Sequence, residues 1–114
     1  MTAKVVWIID AQQWPRALLR AELIERGFDA VGYVSIAHAL ATLAERPPDL
    51  VVIDVRDQTL DRRSLDALFA IGVPVIAIAG VPEINDPLLG EYPWAALLRR
   101  PVSIGEIAAR VASS

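Results

Sequence analysis

Two aspartates stand where they could do chemistry. Asp54 closes the apolar run Leu50-Val51-Val52-Ile53, and Asp10 closes the run Val5-Val6-Trp7-Ile8-Ile9. Each run is short and unbroken, as in a strand buried on both faces of a parallel sheet. Two such strands, each ending on a carboxylate, make an acidic site at the carboxyl edge of the sheet, where open α/β sheets bind their ligands. A plainer role is also open to both: a carboxylate at a strand end can cap a loop by accepting backbone N–H groups. Arg100 is a cation that could pair with either aspartate and neutralise the pocket.

The elements that must position these residues alternate along the chain. Lys4 to Ile9 is predicted as the first strand. Pro15 suits a helix start, and Ala17, Leu18, Ala21, Leu23 and Ile24 form an apolar helical stripe that Gly27 stops. Ala30 to Val34 follows as a strand. Ser35 caps a helix with the apolar face Ile36, Ala39, Leu40 and Leu43, which must end before Pro47-Pro48. Leu50 to Asp54 is the third strand, Ser64 to Ile71 the third helix, with Gly72 as its stop, and Pro74 to Ile78 the fourth strand. Pro82, Pro87, Gly90 and Pro93 leave room for one helical turn or an irregular loop. Ala95 to Leu98 is the fifth strand, and Ser103-Ile104-Gly105-Glu106 is a capping box opening the last helix. This alternation predicts an α/β fold: a flavodoxin-like, doubly wound, five-stranded parallel sheet of order 2-1-3-4-5, with helices on both faces and a short or irregular fourth helix. That order puts Asp10 and Asp54 side by side.

The 114 residues fit one domain, 1–114. At 54% hydrophobic the chain is rich in core-forming residues. The apolar runs are too short to span a membrane, and Asp10 interrupts the first one before it could serve as a signal sequence. Cysteine is absent, which removes disulfides and thiolate metal sites. The simplest location is the cytoplasm. A net charge of −3 does not favour nucleic acid, and the pairs Arg62-Arg63 and Arg99-Arg100 are too small to offset it.

With Asp10, the run Pro48-Asp49-Leu50-Val51-Val52-Ile53-Asp54, Pro74-Val75-Ile76 and Arg100-Pro101 in these places, the chain resembles the receiver domains of two-component response regulators from Lys4 to Val111. The resemblance implies that Asp54 is the position that accepts a phosphoryl group from a histidine kinase. It implies a Mg²⁺ site made by Asp10, Asp54 and the backbone carbonyl of Arg56. It also implies that Arg100 stands where a lysine contacts the phosphoryl group. A carboxylate and a phosphoryl group repel each other, and a metal ion and a fixed cation offset that repulsion.

The chain departs from the family pattern at several points. The second of two adjacent acids after the first strand is Ala11. The Thr/Ser position after the fourth strand is Ala79, which forgoes one hydrogen bond to a charged group, roughly 1.5–3 kcal/mol. The aromatic switch position on the fifth strand is Leu97, and a usual Pro-Gly turn is Gln58-Thr59. Arginine in place of lysine keeps the charge but brings a larger planar fork. These departures predict an atypical receiver whose Mg²⁺ binding is weakened, since such sites have few protein ligands to spare. It would act in signal transduction through contacts with a signalling protein, either a histidine kinase or an output domain. The face formed by the fourth helix, fifth strand and fifth helix is the expected contact surface, and the apolar composition fits a homodimer through it. A working phosphoacceptor at Asp54 is the alternative. A flavodoxin-like cofactor enzyme is more remote, because Asp10-Ala11-Gln12-Gln13-Trp14-Pro15 offers no glycine or hydroxyl for a phosphate and no catalytic motif is present. The chain is thus not expected to be an enzyme.

Other residues carry plainer expectations. Trp7 belongs in the core, Trp14 reads as a packing anchor at a helix entrance, and Trp94 fits a contact patch. His38 reads as structural or solvated. Asp57, Asp61 and Asp66 read as solvated, with Asp57 a second source of a metal carboxylate.

Overall fold

The unbroken apolar runs become strands. The computed structural model describes residues 2–55 and 61–114. Its strands are β1 (Val5–Ile9), β2 (Asp29–Tyr33), β3 (Leu50–Val55), β4 (Val75–Ala79) and β5 (Ala96–Arg99). Its helices are α1 (Gln13–Glu25), α2 (Ile36–Leu40), α3 (Arg62–Phe69), α4 (Val81–Ile84) and α5 (Ile104–Ala112). Among the described residues the strands form one sheet of order β2-β1-β3-β4-β5, with every neighbouring pair parallel. Fold class and strand order agree with the alternation in the sequence. Several strands sit one residue away from their expected bounds, the usual uncertainty where propensity alone fixes an end. No described helix is long and apolar enough to cross a membrane.

Strand side chains alternate between the two faces of the sheet. Val6, Ile8, Val52 and Ile76 therefore meet Leu19 and Leu23 of α1 and Ile107 and Val111 of α5. Trp7, Ile9, Val51, Ile53, Val75 and Ala77 form the other layer with Ala39 of α2 and Leu68 of α3. All six residues of β3 are buried, which is why its sequence shows no polar alternation. Full burial of a side chain such as Leu23 contributes about 1.5–3 kcal/mol. Gly27 and Gly72 stop α1 and α3 in the left-handed region, at φ 94° and 86°.

The face that α1 buries differs from the expected stripe. Of that stripe only Leu23 is buried; Leu19, four residues earlier, completes the inward line. Leu18 is 54% exposed, and Ala17, Ala21 and Ile24 also face solvent. Arginines take part of the inward arc. Arg16 Nη1 donates to the Asp10 carbonyl at 2.7 Å, and Arg20 Nε donates to the Ala30 carbonyl at 3.1 Å. The Arg16 stem lies against Gly32 of β2, and the charged ends of both arginines reach backbone oxygens. Gly32 allows this close approach: a Cβ there would stand 3.0 Å from Arg16 Cγ. Trp14 is no packing anchor. The helix begins at Gln13, ahead of Pro15, and Trp14 is turned outward, 76% exposed.

The proline-rich segment after β4 behaves as its composition requires. It holds the single turn of α4 and a 3-10 turn at Leu89–Glu91. Ser35 caps α2 by accepting from the His38 N–H at 3.1 Å, and His38 is exposed. Ser103 and Glu106 make the reciprocal capping box of α5. The α1 assignment predicts that Leu23→Ala lowers unfolding free energy by about 2–5 kcal/mol. Leu18→Ala should change it by no more than about 0.5 kcal/mol. Urea titration of both variants checks the ranking, and the reverse order would mean that the helix presents its other face.

Candidate functional site at the carboxyl edge of the sheet

β1 and β3 are neighbours, with Ile9 in register with Ile53, so Asp10 and Asp54 come to the same edge. Asp10 follows β1 and is 4% exposed; Asp54 is the penultimate residue of β3 and is 8% exposed. The Asp10 backbone is held on both sides. Its N–H donates to the Tyr33 carbonyl at 3.0 Å, and its carbonyl accepts from Arg16. Asp10 Oδ1 accepts the Gln12 N–H at 2.9 Å, which is the capping role open to it from the sequence.

Arg100 supplies the counter-charge. It directly follows β5, where its own N–H donates to the Ala79 carbonyl at 2.9 Å. Its side chain returns past the end of β4 to β3. There Nη2 pairs with Asp54 Oδ1, and both terminal nitrogens donate to the Val55 carbonyl at 3.4 Å. On its other side Nη1 lies 3.6 Å from Glu83 Oε1 of α4. Gly80 leaves the room this needs, since a Cβ there would be 3.2 Å from Nη1 and 3.1 Å from Glu83 Oε1. Burial pushes the Arg100 guanidinium below its usual pKa, and the nearby Asp10 charge opposes that shift. An arginine stays charged through such a shift.

A cleft of about 200 Å³ opens beside this pair, bordered by Asp10, Ala11, Asp54, Ser35, Asp61 and Ser64. Asp61 was expected only as a solvated residue. It is the N-cap of α3, accepting the Ser64 N–H and hydroxyl, both at 2.8 Å. The Ser64 N–H is the main reason its carboxyl is held below the usual range, with the Ser64 hydroxyl second. The signal was present in the sequence as an Asp three residues before a Ser, a good N-cap pattern. It was obscured by placing the helix start at Ser64 itself.

The other expected positions spread around this edge. Ala79 ends β4, in register with Val55 and Arg99. Ala11 borders the cleft, while Leu97 lies on β5 with its side chain 41% exposed. Arg56, Asp57, Gln58 and Thr59 lie outside the described residues. Among the described residues Asp10 and Asp54 are the carboxylates that would hold Mg²⁺ at this edge. No three His, Cys, Asp or Glu side chains among the described residues converge as for a metal ion. Of the two buried carboxylates, Asp54 already carries a guanidinium and Asp10 an N–H. A divalent cation seated on Asp54 would have to displace Arg100 or share the carboxylate with it.

No family model matches the chain, and no curated protein matches it. Solved structures do. The fold is similar to a response regulator receiver protein from Pseudomonas putida, at TM-score 0.83 and 21% identity over 100% of this chain and 99% of that one. It is also similar to the Francisella response regulator 1452 receiver domain, at TM-score 0.78 and 24% identity over 96% and 94% of the two chains. A third similar structure is the PhyR response regulator REC domain of Erythrobacter litoralis, at TM-score 0.76 and 24% identity over 99% and 90%. The fold is that of response regulator receiver domains. Within this receiver fold Asp10, Asp54 and Arg100 meet at the carboxyl edge, and Leu97 does not border the cleft.

Arg100→Ala is expected to destabilise the protein by about 3 kcal/mol, because it removes the guanidinium paired with a buried carboxylate. The double variant Asp54→Leu with Arg100→Met should recover most of that loss; chemical denaturation at pH 7 measures both. Asp61→Ala should lower the thermal midpoint at pH 7. A depressed folded-state pKa stabilises above the ordinary value, 3.8, and that contribution is lost as pH falls through the folded value. The difference between Asp61→Ala and the parent should therefore disappear at strongly acid pH.

Proposed function

We propose that residues 1–114 form an atypical receiver-like domain that works in signal transduction through protein contacts, with Mg²⁺-dependent phosphorylation at Asp54 impaired. The observation that carries this reading is the Asp54–Arg100 pair: the buried acceptor carboxylate already holds a guanidinium. Ala11 offers no second acid beside Asp10, and Ala79 offers no hydroxyl at the end of β4. Each departure alone weakens a phosphoryl site; together they remove a metal ligand, a hydrogen-bond donor and a free cation from one edge.

The partner is a signalling protein, a histidine kinase or an output domain, in the cytoplasm. The contact face is the one carrying α4, β5 and α5, where Val81 and Leu97 are exposed apolar side chains. A homodimer through the same face is consistent with those residues. The domain is a binding module and no enzyme in this reading.

A second reading has one observation in its favour. Asp54 borders an open cleft, as an acceptor attacked from solvent must. The two readings part in an amide NMR spectrum recorded with Mg²⁺ before and after beryllofluoride, which mimics an aspartyl phosphoryl group. The expected result is an unchanged spectrum at millimolar Mg²⁺. Shifts centred on Asp10, Asp54 and Arg100, absent in Asp54→Asn, would establish a working phosphoacceptor instead.

A further inference from the structure

The helix α4 is a single turn, far too short to hold itself together. None of its residues is buried, and only Ile84 packs in part against the core. Two side chains hold the turn: Asn85 Nδ2 donates to the Val81 carbonyl at 3.2 Å, and Glu83 bonds the N-terminal end. Glu83 Oε1 accepts the Gly80 N–H at 3.1 Å, and the Ile84 N–H closes on the Gly80 carbonyl at 2.9 Å. The same Glu83 oxygen faces Arg100 Nη1 at 3.6 Å, while Nη2 of that guanidinium is engaged with Asp54. Two carboxylates from different elements therefore share one cation, in space that a side chain at Gly80 would crowd.

We propose that Arg100 is a shared clamp through which the charge on Asp54 controls how firmly α4 is seated. A guanidinium divided between two anions moves toward one when the other is weakened. Neutralising Asp54 releases Arg100 to Glu83 and tightens α4. Adding negative charge at Asp54 draws Arg100 away and loosens it. Linkage makes the effect reciprocal, so removing the Glu83 charge tightens Arg100 on Asp54. This route needs no hydroxyl at Ala79 and no aromatic residue at Leu97. It goes beyond the proposed function and holds whether or not Asp54 ever takes a phosphoryl group.

Amide exchange at Gly80 and Ile84, followed by NMR on the full chain, reads the seat of α4 directly. Arg100→Ala is expected to speed exchange at both amides severalfold, the loss of the ion pair with Glu83. Asp54→Asn is expected to slow it severalfold, and in a Glu83→Gln background Asp54→Asn should have no effect. Exchange unchanged by Asp54→Asn, or an effect that persists in the Glu83→Gln background, overturns the proposal. Should Asp54→Asn not fold, Glu83→Gln alone tests the link from its surface end. The Asp54 carboxyl carbon resonance should then move as Arg100 tightens on it, and an unmoved resonance refutes the link. Neither readout depends on beryllofluoride, so failure here leaves the proposed function standing.

Discussion

Asp54 sits on a strand whose six residues are all buried, so its charge has to be balanced inside the protein. A buried carboxylate without a cation is costly, and the cost shapes everything around it. One balancing group comes from the edge strand of the sheet. Arg100 follows β5, at the edge of the strand order, yet its guanidinium ends on β3. To span that distance it passes the end of β4, where the chain carries Ala79 and Gly80. A Cβ at Gly80 would crowd it, at 3.2 Å from Nη1. The small residues there and the arginine at 100 thus act as one solution to a single electrostatic constraint. In the resulting pocket a buried carboxylate and a guanidinium face each other across the end of β4.

The same edge shows what holds the chain where helix is missing. The proline-rich segment between β4 and β5 is fastened by side chains. Phe69 stacks on Tyr92 with centroids 5.1 Å apart and meets Trp94 edge-on at 5.0 Å. Tyr92 donates its hydroxyl to Asp66 at 2.7 Å, Trp94 Nε1 donates to the Leu89 carbonyl at 2.7 Å, and Arg62 pairs with Glu91. These contacts anchor the segment to α3. Trp94, which fitted a contact patch from sequence, is used inward, half-buried against the second core layer. Asp66, expected to be solvated, is exposed and also serves as the acceptor for Tyr92. α4 is held instead by Glu83 on the Gly80 N–H, Asn85 on the Val81 carbonyl and Ile84 against the core.

Much of the fold was legible before any coordinates. Continuous apolar runs marked strands that are buried on both faces, and β-α alternation then leaves few arrangements, because crossovers are right-handed and helices must cover both sides. Gly27, Gly72, Ser35 and the Ser103–Glu106 pair punctuated the helices where expected, since each works through local backbone geometry that needs no distant partner. The α1 face was not legible. Five apolar residues made a wide arc, and the Arg16 stem took part of the place facing the sheet. Trp14 misled for a related reason: aromatic character says that burial is favourable, and says nothing about whether a surface is available.

By itself the sequence determined the strands, their order and the meeting of Asp10 with Asp54, because these follow from local patterns and from the handedness of the chain. Only the tertiary structure decided which charges meet. That Arg100 reaches Asp54 and Glu83 together depends on three separate elements arriving at one point, with Gly80 leaving space between them. Separations of 46 and 17 residues along the chain carry no periodic signal, so side-chain reach and the packed sheet alone could bring these groups together.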